Sequence, residues 1–185
     1  MLISITFALI NIKCMSGEIV NKVAESSLIT LDLEAYYPKE DLIAFDLKDF
    51  LFMGLILKEK DYRAALLATD WTLYQNKNVY ITCTTDAIIP MWAYMLAASF
   101  LQPFAIEIVF GDRKKMIETV LLKNIAGINI NEFEDKRIVV KGCGEISIPE
   151  IAYVEITNKL RPVAKSIMYG EPCSTVPIYK KPLQK

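Results

Sequence analysis

The chain has 185 residues, 21 basic and 22 acidic side chains for a formal net charge of −1, and no histidine. The length allows one substantial core, and the even, scattered charge offers neither a basic stripe for nucleic acid nor an acidic solvating arm. The missing histidine removes Ser-His-Asp and Cys-His nucleophile systems, histidine metal ligands and histidine pH switching, leaving carboxylates, Lys, Tyr, thiols or a bound cofactor for any chemistry.

Residues 1–14 open with an apolar run, Leu2 to Ile10. No positive charge precedes it, no small-residue cleavage site follows, and it falls short of the roughly 20 apolar residues of a membrane span. A second initiator-like sequence, Met15-Ser16-Gly17, follows. The expectation is that translation starts at Met15 rather than Met1, that residues 1–14 are an upstream extension, and that 15–185 form a single α/β domain. Glu18 to Ser27 reads as a short amphipathic segment. Leu28 to Leu33 and Leu42 to Leu47 read as strands, separated by a turn containing Pro38. Leu51 to Leu57 is a short apolar run, read as a strand because a charged helical stretch, Lys58 to Leu67, follows at once. Asp70 to Asn78 is a turn.

Three buried strands come next: Val79–Cys83, Ile106–Phe110 and Arg137–Lys141, each followed by a helical segment. Strand and helix alternating in this way predict an α/β fold, a mainly parallel sheet with crossover helices, three-layered and Rossmann-like, with extra N-terminal strands. The hydrophobic fraction of 53% suits a sheet covered on both faces. In one such sheet all three strand ends would share the carboxyl edge, where open α/β folds place their sites. The helix Ile88 to Leu101 is apolar nearly all round, which places it in the core or at a subunit contact and makes a homodimer a candidate assembly. Asp112 caps a second helix with Met116, Ile117, Val120 and Leu121 on its apolar face and Gly127 at its end. Ser147-Ile148-Pro149-Glu150 starts a third helix, which Pro162 ends. Val163 to Tyr169 reads as one further turn, and the proline-containing tail from Glu171 as a loop. No internal repeat, low-complexity tract or linker is expected.

The four cysteines, Cys14, Cys83, Cys143 and Cys173, are irregularly spaced and do not form a secreted disulfide framework. Cys83 closes the first strand. Cys143, between Gly142 and Gly144, follows the third and faces a helix start that favours a thiolate. Cys173 is held in a proline-flanked loop able to fold back over the sheet edge. Three thiolates without histidine suit a soft metal ion or an iron–sulfur cluster. The plain alternative is that all are buried small hydrophobes. Asp86 and Asp112 lie just past strand ends and are candidates for ligand or outer-shell contacts, with helix capping as the competing role. Thr84 and Ser174 are candidate anion contacts. No G-x-G-x-x-G or G-x-x-x-x-G-K-[ST] is present, so neither a dinucleotide nor a P-loop site is expected.

Several stretches together carry a resemblance: Ile19–Val23, Gly54-Leu55-Ile56-Leu57-Lys58-Glu59-Lys60-Asp61, Asp86-Ala87-Ile88-Ile89-Pro90-Met91-Trp92-Ala93-Tyr94-Met95, Val139–Cys143, Arg161-Pro162-Val163 and Tyr169–Pro177. From about Met15 to Pro182 the chain resembles the uncharacterised bacterial family catalogued as domain of unknown function 2480. The resemblance brings no established activity. It implies an encoding near iron–sulfur assembly components. The resulting expectation is a cytoplasmic protein binding an iron–sulfur cluster or soft metal through Cys83, Cys143 and Cys173, as an accessory to iron–sulfur assembly proteins, without nucleic-acid or membrane partners. Two readings compete with it. One is a metal-free binding or scaffold protein, dimeric through helix 88–101. The other is a thiol enzyme using Cys143 with Asp86 or Asp112.

Overall fold

The first two strands are near-copies of one another. In the computed structural model, which describes residues 28–141, 144–171 and 174–182, β1 (Leu28–Asp32) and β2 (Leu42–Asp46) both read Leu-Ile-x-x-Asp. The upstream extension, the Met15 start, the 18–27 segment, Cys14, Cys143 and Cys173 lie outside the described residues. Each strand runs into a single 3-10 turn, Leu33–Tyr36 after β1 and Leu47–Phe50 after β2. The reason is the closing aspartate. Asp32 accepts a hydrogen bond from the Glu34 N–H and Asp46 from the Lys48 N–H, each at 3.0 Å. A short carboxylate bonded two residues ahead draws the backbone out of the extended form.

The remaining elements are α1 (Glu59–Ala68), β3 (Asn78–Thr82), α2 (Met91–Leu101), β4 (Glu107–Phe110), α3 (Arg113–Ala126), β5 (Arg137–Lys141), α4 (Glu150–Leu160), β6 (Ser166–Glu171) and β7 (Ser174–Lys180). α2 and α4 start three residues later than their sequences suggest. Pro90 and Pro149 hold extended backbone at their N-caps, and the residue before a proline is kept out of helical conformation.

Contrary to the expectation of no repeat, the chain contains one. Asp70–Asp112 and Asn129–Glu171 align at a constant offset of 59 positions (70 to 129, 112 to 171). Ile89-Pro90-x-x-Ala93-Tyr94, Leu101-x-Pro103-x-Ala105 and Ile108-x-x-Gly111 recur as Ile148-Pro149-x-x-Ala152-Tyr153, Leu160-x-Pro162-x-Ala164 and Ile167-x-x-Gly170. The backbone follows suit. β3 pairs β4 from Asn78↔Glu107, and β5 pairs β6 in the same register from Arg137↔Ser166. Asn76 (φ 57°) and Asp135 (φ 51°) take the same left-handed turn, and their N–H groups donate to Phe104 O and Val163 O respectively. Asn and Asp tolerate that conformation better than other side chains.

The units are nested rather than tandem. The inner unit (β2, α1, β3, α2, β4) is inserted between β1 and the rest of the outer unit (α3, β5, α4, β6, with β7 added). Two sheets result: β2-β3-β4, all parallel, and β1-β5-β6-β7, parallel except for β7. The α/β class, the parallel crossovers and the N-terminal strands expected from sequence are all present. The single sheet is not. β5 pairs with β1 across more than a hundred residues instead of lying beside β3, a choice made by long-range side-chain fit rather than by local propensity.

Each unit closes its own core in the same way. In the inner one, Tyr62, Leu66, Ala93, Ala97 and Leu101 pack on Phe45, Val79 and Ile81. In the outer one, Leu121, Ile125, Ala152, Ile156 and Leu160 pack on Leu31, Ile138, Val140 and Ile167. Tyr62 and Leu121, Leu66 and Ile125, Leu101 and Leu160 are repeat partners, all with no exposed surface. α3 also touches β2, β3 and β4, so this helix joins the two units.

Two local expectations change. Residues 51–57 form no full strand but a tight excursion in which Phe52 bridges Ile56 across Met53 (φ 50°) and Gly54 (φ 71°). The C-terminal turn and loop are instead the hairpin β6–β7. Pro177 is tolerated because β7 is an edge strand with an irregular register beside Ile167/Met168. Among the described residues no helix is long and apolar enough to cross a membrane.

Candidate functional site

The carboxyl ends of three neighbouring outer strands are charged: β1 ends on Asp32, β5 on Lys141, β6 on Glu171. Register places Asp32 opposite Lys141. The Lys141 Nζ lies 3.6 Å from Glu171 and 3.8 Å from Asp32. Glu171 foremost, then Asp32, hold that ammonium above the usual lysine range. Glu34, carried on the turn after β1, brings a further carboxylate, which accepts a hydrogen bond from the Ile146 N–H at 3.3 Å. It can lie there because residue 144 is glycine: a Cβ at Gly144 would collide with the Glu34 carboxyl group. Three carboxylates therefore surround one ammonium at an edge that stays partly open to water. Such an arrangement holds an excess of negative charge where a cation or cationic group could be received.

The matching edge of the inner unit is spent on structure. The Asp46 carboxylate takes the Thr84 hydroxyl at 2.5 Å, the Thr84 N–H at 3.1 Å and the Lys48 N–H, with the Lys48 ammonium at 3.3 Å. Burial would raise its pKa, but the Thr84 and Lys48 hydrogen bonds outweigh that and leave it below the ordinary carboxylate value.

The residues singled out from sequence are dispersed between these edges. Cys83 follows β3 in the inner sheet, is half-buried against the inner core, and donates its S–H to Thr85 O at 3.4 Å. Thr84 is the Asp46 partner just described. Asp112 caps α3 by accepting the Lys115 N–H at 2.8 Å. Asp86 is exposed in the loop before α2. Ser174 opens β7 opposite Glu171, at the outer edge. Cys143 and Cys173 lie outside the described residues, each two positions beyond a member of the Lys141–Glu171 pair. Among the described residues no cluster of three Cys, Asp or Glu side chains is arranged to hold a metal ion.

The sequence reading singles out none of the three carboxylates, Asp32, Glu34 and Glu171. A signal was present. Leu28-Ile29-x-x-Asp32-Leu33 repeats as Leu42-Ile43-x-x-Asp46-Leu47, which marks both aspartates as strand-ending residues of equivalent units.

The fold and this edge define a nested two-unit α/β protein with an acidic strand-end site. The chain belongs to the family described as "Protein of unknown function (DUF2480)", whose model matches residues 17–181. No curated protein and no solved structure matches the chain.

Proposed function

We propose that this is a cytoplasmic protein that binds a soft metal ion or an iron–sulfur cluster at the carboxyl edge of the outer sheet, with Cys143 and Cys173 as thiolate donors, and that it serves as an accessory to iron–sulfur assembly. The observation that carries this reading is the Lys141–Glu171 ion pair across adjacent strands. The chain continues from each of these residues to a cysteine two positions on. Two thiolates supplied from these positions would be soft donors, suited to a soft cation or a cluster. Cys83 is left out of the set, because its strand belongs to the inner sheet and its thiol already has a backbone acceptor.

Anaerobic purification with iron, sulfide and zinc analysis tests the reading. Wild type and Cys83→Ser are expected to carry metal, while Cys143→Ser and Cys173→Ser lose most of it. Wild-type protein that remains metal-free after anaerobic purification and after titration with iron and zinc would sink the proposal.

A second reading, a homodimer built on the inner unit, has its own observation. β6 is flanked by β7, whereas among the described residues its repeat partner β4 has no strand on that side. Next to this bare edge Phe110 is 68% exposed, packed edge-on to Tyr94, and Met91 and Met95 of α2 are 71% and 72% exposed. An unpaired strand edge with apolar neighbours is a template for another strand, here that of a second copy. Light scattering should report a dimer that Phe110→Lys converts to monomer. A wild-type monomer at high concentration, or a dimer indifferent to that change, rules it out.

A further inference from the structure

The nested units leave a cleft of about 580 Å³ where they meet, between the turn after β1, the amino ends of β3 and β4, and the C-terminal half of α3. Its size is that of small-molecule sites, which favour boundaries between structural units. Asn78, the first residue of β3, lines it and is 1% exposed. Among the described residues neither polar atom of its side chain has a hydrogen-bond partner. Val79 and Ile81 point into the core beneath α1 and α2, so strand alternation turns Asn78 to the opposite face, toward α3.

The repeat shows that the fold does not require this amide. Asn78 corresponds to Arg137, which is exposed, while the following residues Val79 and Ile138 are both core. A buried amide with neither its carbonyl nor its NH₂ group satisfied opposes folding, so this one marks a place where a ligand can complete the bonding. The charges around the cleft are largely balanced. Lys123 is ion-paired with Glu107, Glu132 accepts from the Asn129 side chain, and Lys39 and Glu40 adjoin one another with opposite sign.

We propose that this cleft binds a small, uncharged, planar molecule whose edge presents a hydrogen-bond donor beside an acceptor, an amide or a nitrogen heterocycle, with Asn78 reading that edge. A side-chain amide offers the complementary acceptor and donor in one plane. Val120, Ile128 and Phe133 supply apolar wall for the ring. Asn78 is here a ligand-binding residue of a site separate from the acidic edge of the outer sheet, so the proposal stands whether or not the metal reading does.

The test uses the full chain with nicotinamide, adenine and uracil as probes and benzoate as the charged control, followed by saturation-transfer NMR and thermal melting. At least one neutral probe is expected to bind in the millimolar range or better and benzoate not to bind. Asn78→Leu should weaken that probe at least tenfold while raising the melting temperature by about 2–6 °C, since an unsatisfied buried amide is removed. Ile106→Trp, at a half-exposed rim position (52% exposed), should block the probe without changing the melting temperature, which keeps the test valid should the Leu variant misfold. Failure of all three neutral probes to bind wild type overturns the proposal. So does equal binding to either variant, or a lower melting temperature for a folded Asn78→Leu protein.

Discussion

Tyr62→Ala is expected to remove about 3–5 kcal/mol of stability, enough to unfold most of a marginally stable population at physiological temperature. Tyr62 has no exposed surface and is among the largest side chains so placed. Its ring meets Phe50 edge-on at 5.2 Å and lies 6.1 Å from Trp92, so truncation leaves a cavity bordered by rigid aromatics that cannot collapse into it. Its hydroxyl donates to Ala93 O at 3.2 Å, fixing α1 against α2, and burial pushes the phenol well above the usual tyrosine range. Tyr62→Phe separates the two contributions: it keeps the ring and loses the hydrogen bond, at about 1 kcal/mol. Urea denaturation of both variants gives the comparison. A cost below about 1.5 kcal/mol for the alanine variant would mean that the inner core does not rest on this residue.

Gly170→Ala is expected to cost about 3 kcal/mol and to empty any metal site at the outer edge. Gly170 has φ +122°, a backbone region that only glycine enters freely, and a Cβ there would fall 2.5 Å from the Ser174 carbonyl oxygen. That oxygen belongs to the paired strand, so the β6–β7 hairpin would have to shift, carrying Glu171 and the segment leading to Cys173 with it. Gly111, its repeat partner, has φ +143° but meets only the Lys115 side chain at 3.0 Å. Gly111→Ala should therefore cost less, about 1–2 kcal/mol of backbone strain, and leave metal content unchanged. Chemical denaturation and metal analysis on the pair read both effects. Equal costs in the two variants would show that the hairpin contact contributes nothing beyond the strain at φ.

Much of the fold is legible in the residues. The runs Val79–Thr82, Ile108–Phe110 and Ile138–Val140 are short, apolar and rich in β-branched side chains, and all three are strands. Met116, Ile117, Val120 and Leu121 mark the buried face of α3 at helical spacing, and Asp112 caps it. The tail was harder because Pro177 argues against a strand, and only its place at an edge resolves the conflict. The repeat between 70–112 and 129–171 is faint in the sequence because few identities survive. β1 is separated from β5 by the whole inner unit, and the identities that survive are spaced single residues set by turns and close packing.

Taken alone, the sequence determined the α/β class, the helices and strands of the central region, and a chemistry confined to carboxylates, lysine, tyrosine, thiols or a bound cofactor, because these depend on composition and short-range periodicity. The tertiary structure alone decided how many sheets the described residues form, that Cys83 follows a strand of the inner sheet while Lys141 and Glu171 meet in the outer one, and that Asn78 is buried with no partner among the described residues. Those facts depend on which strands pair across long stretches of chain, and pairing is chosen by the fit of whole surfaces that no local window contains.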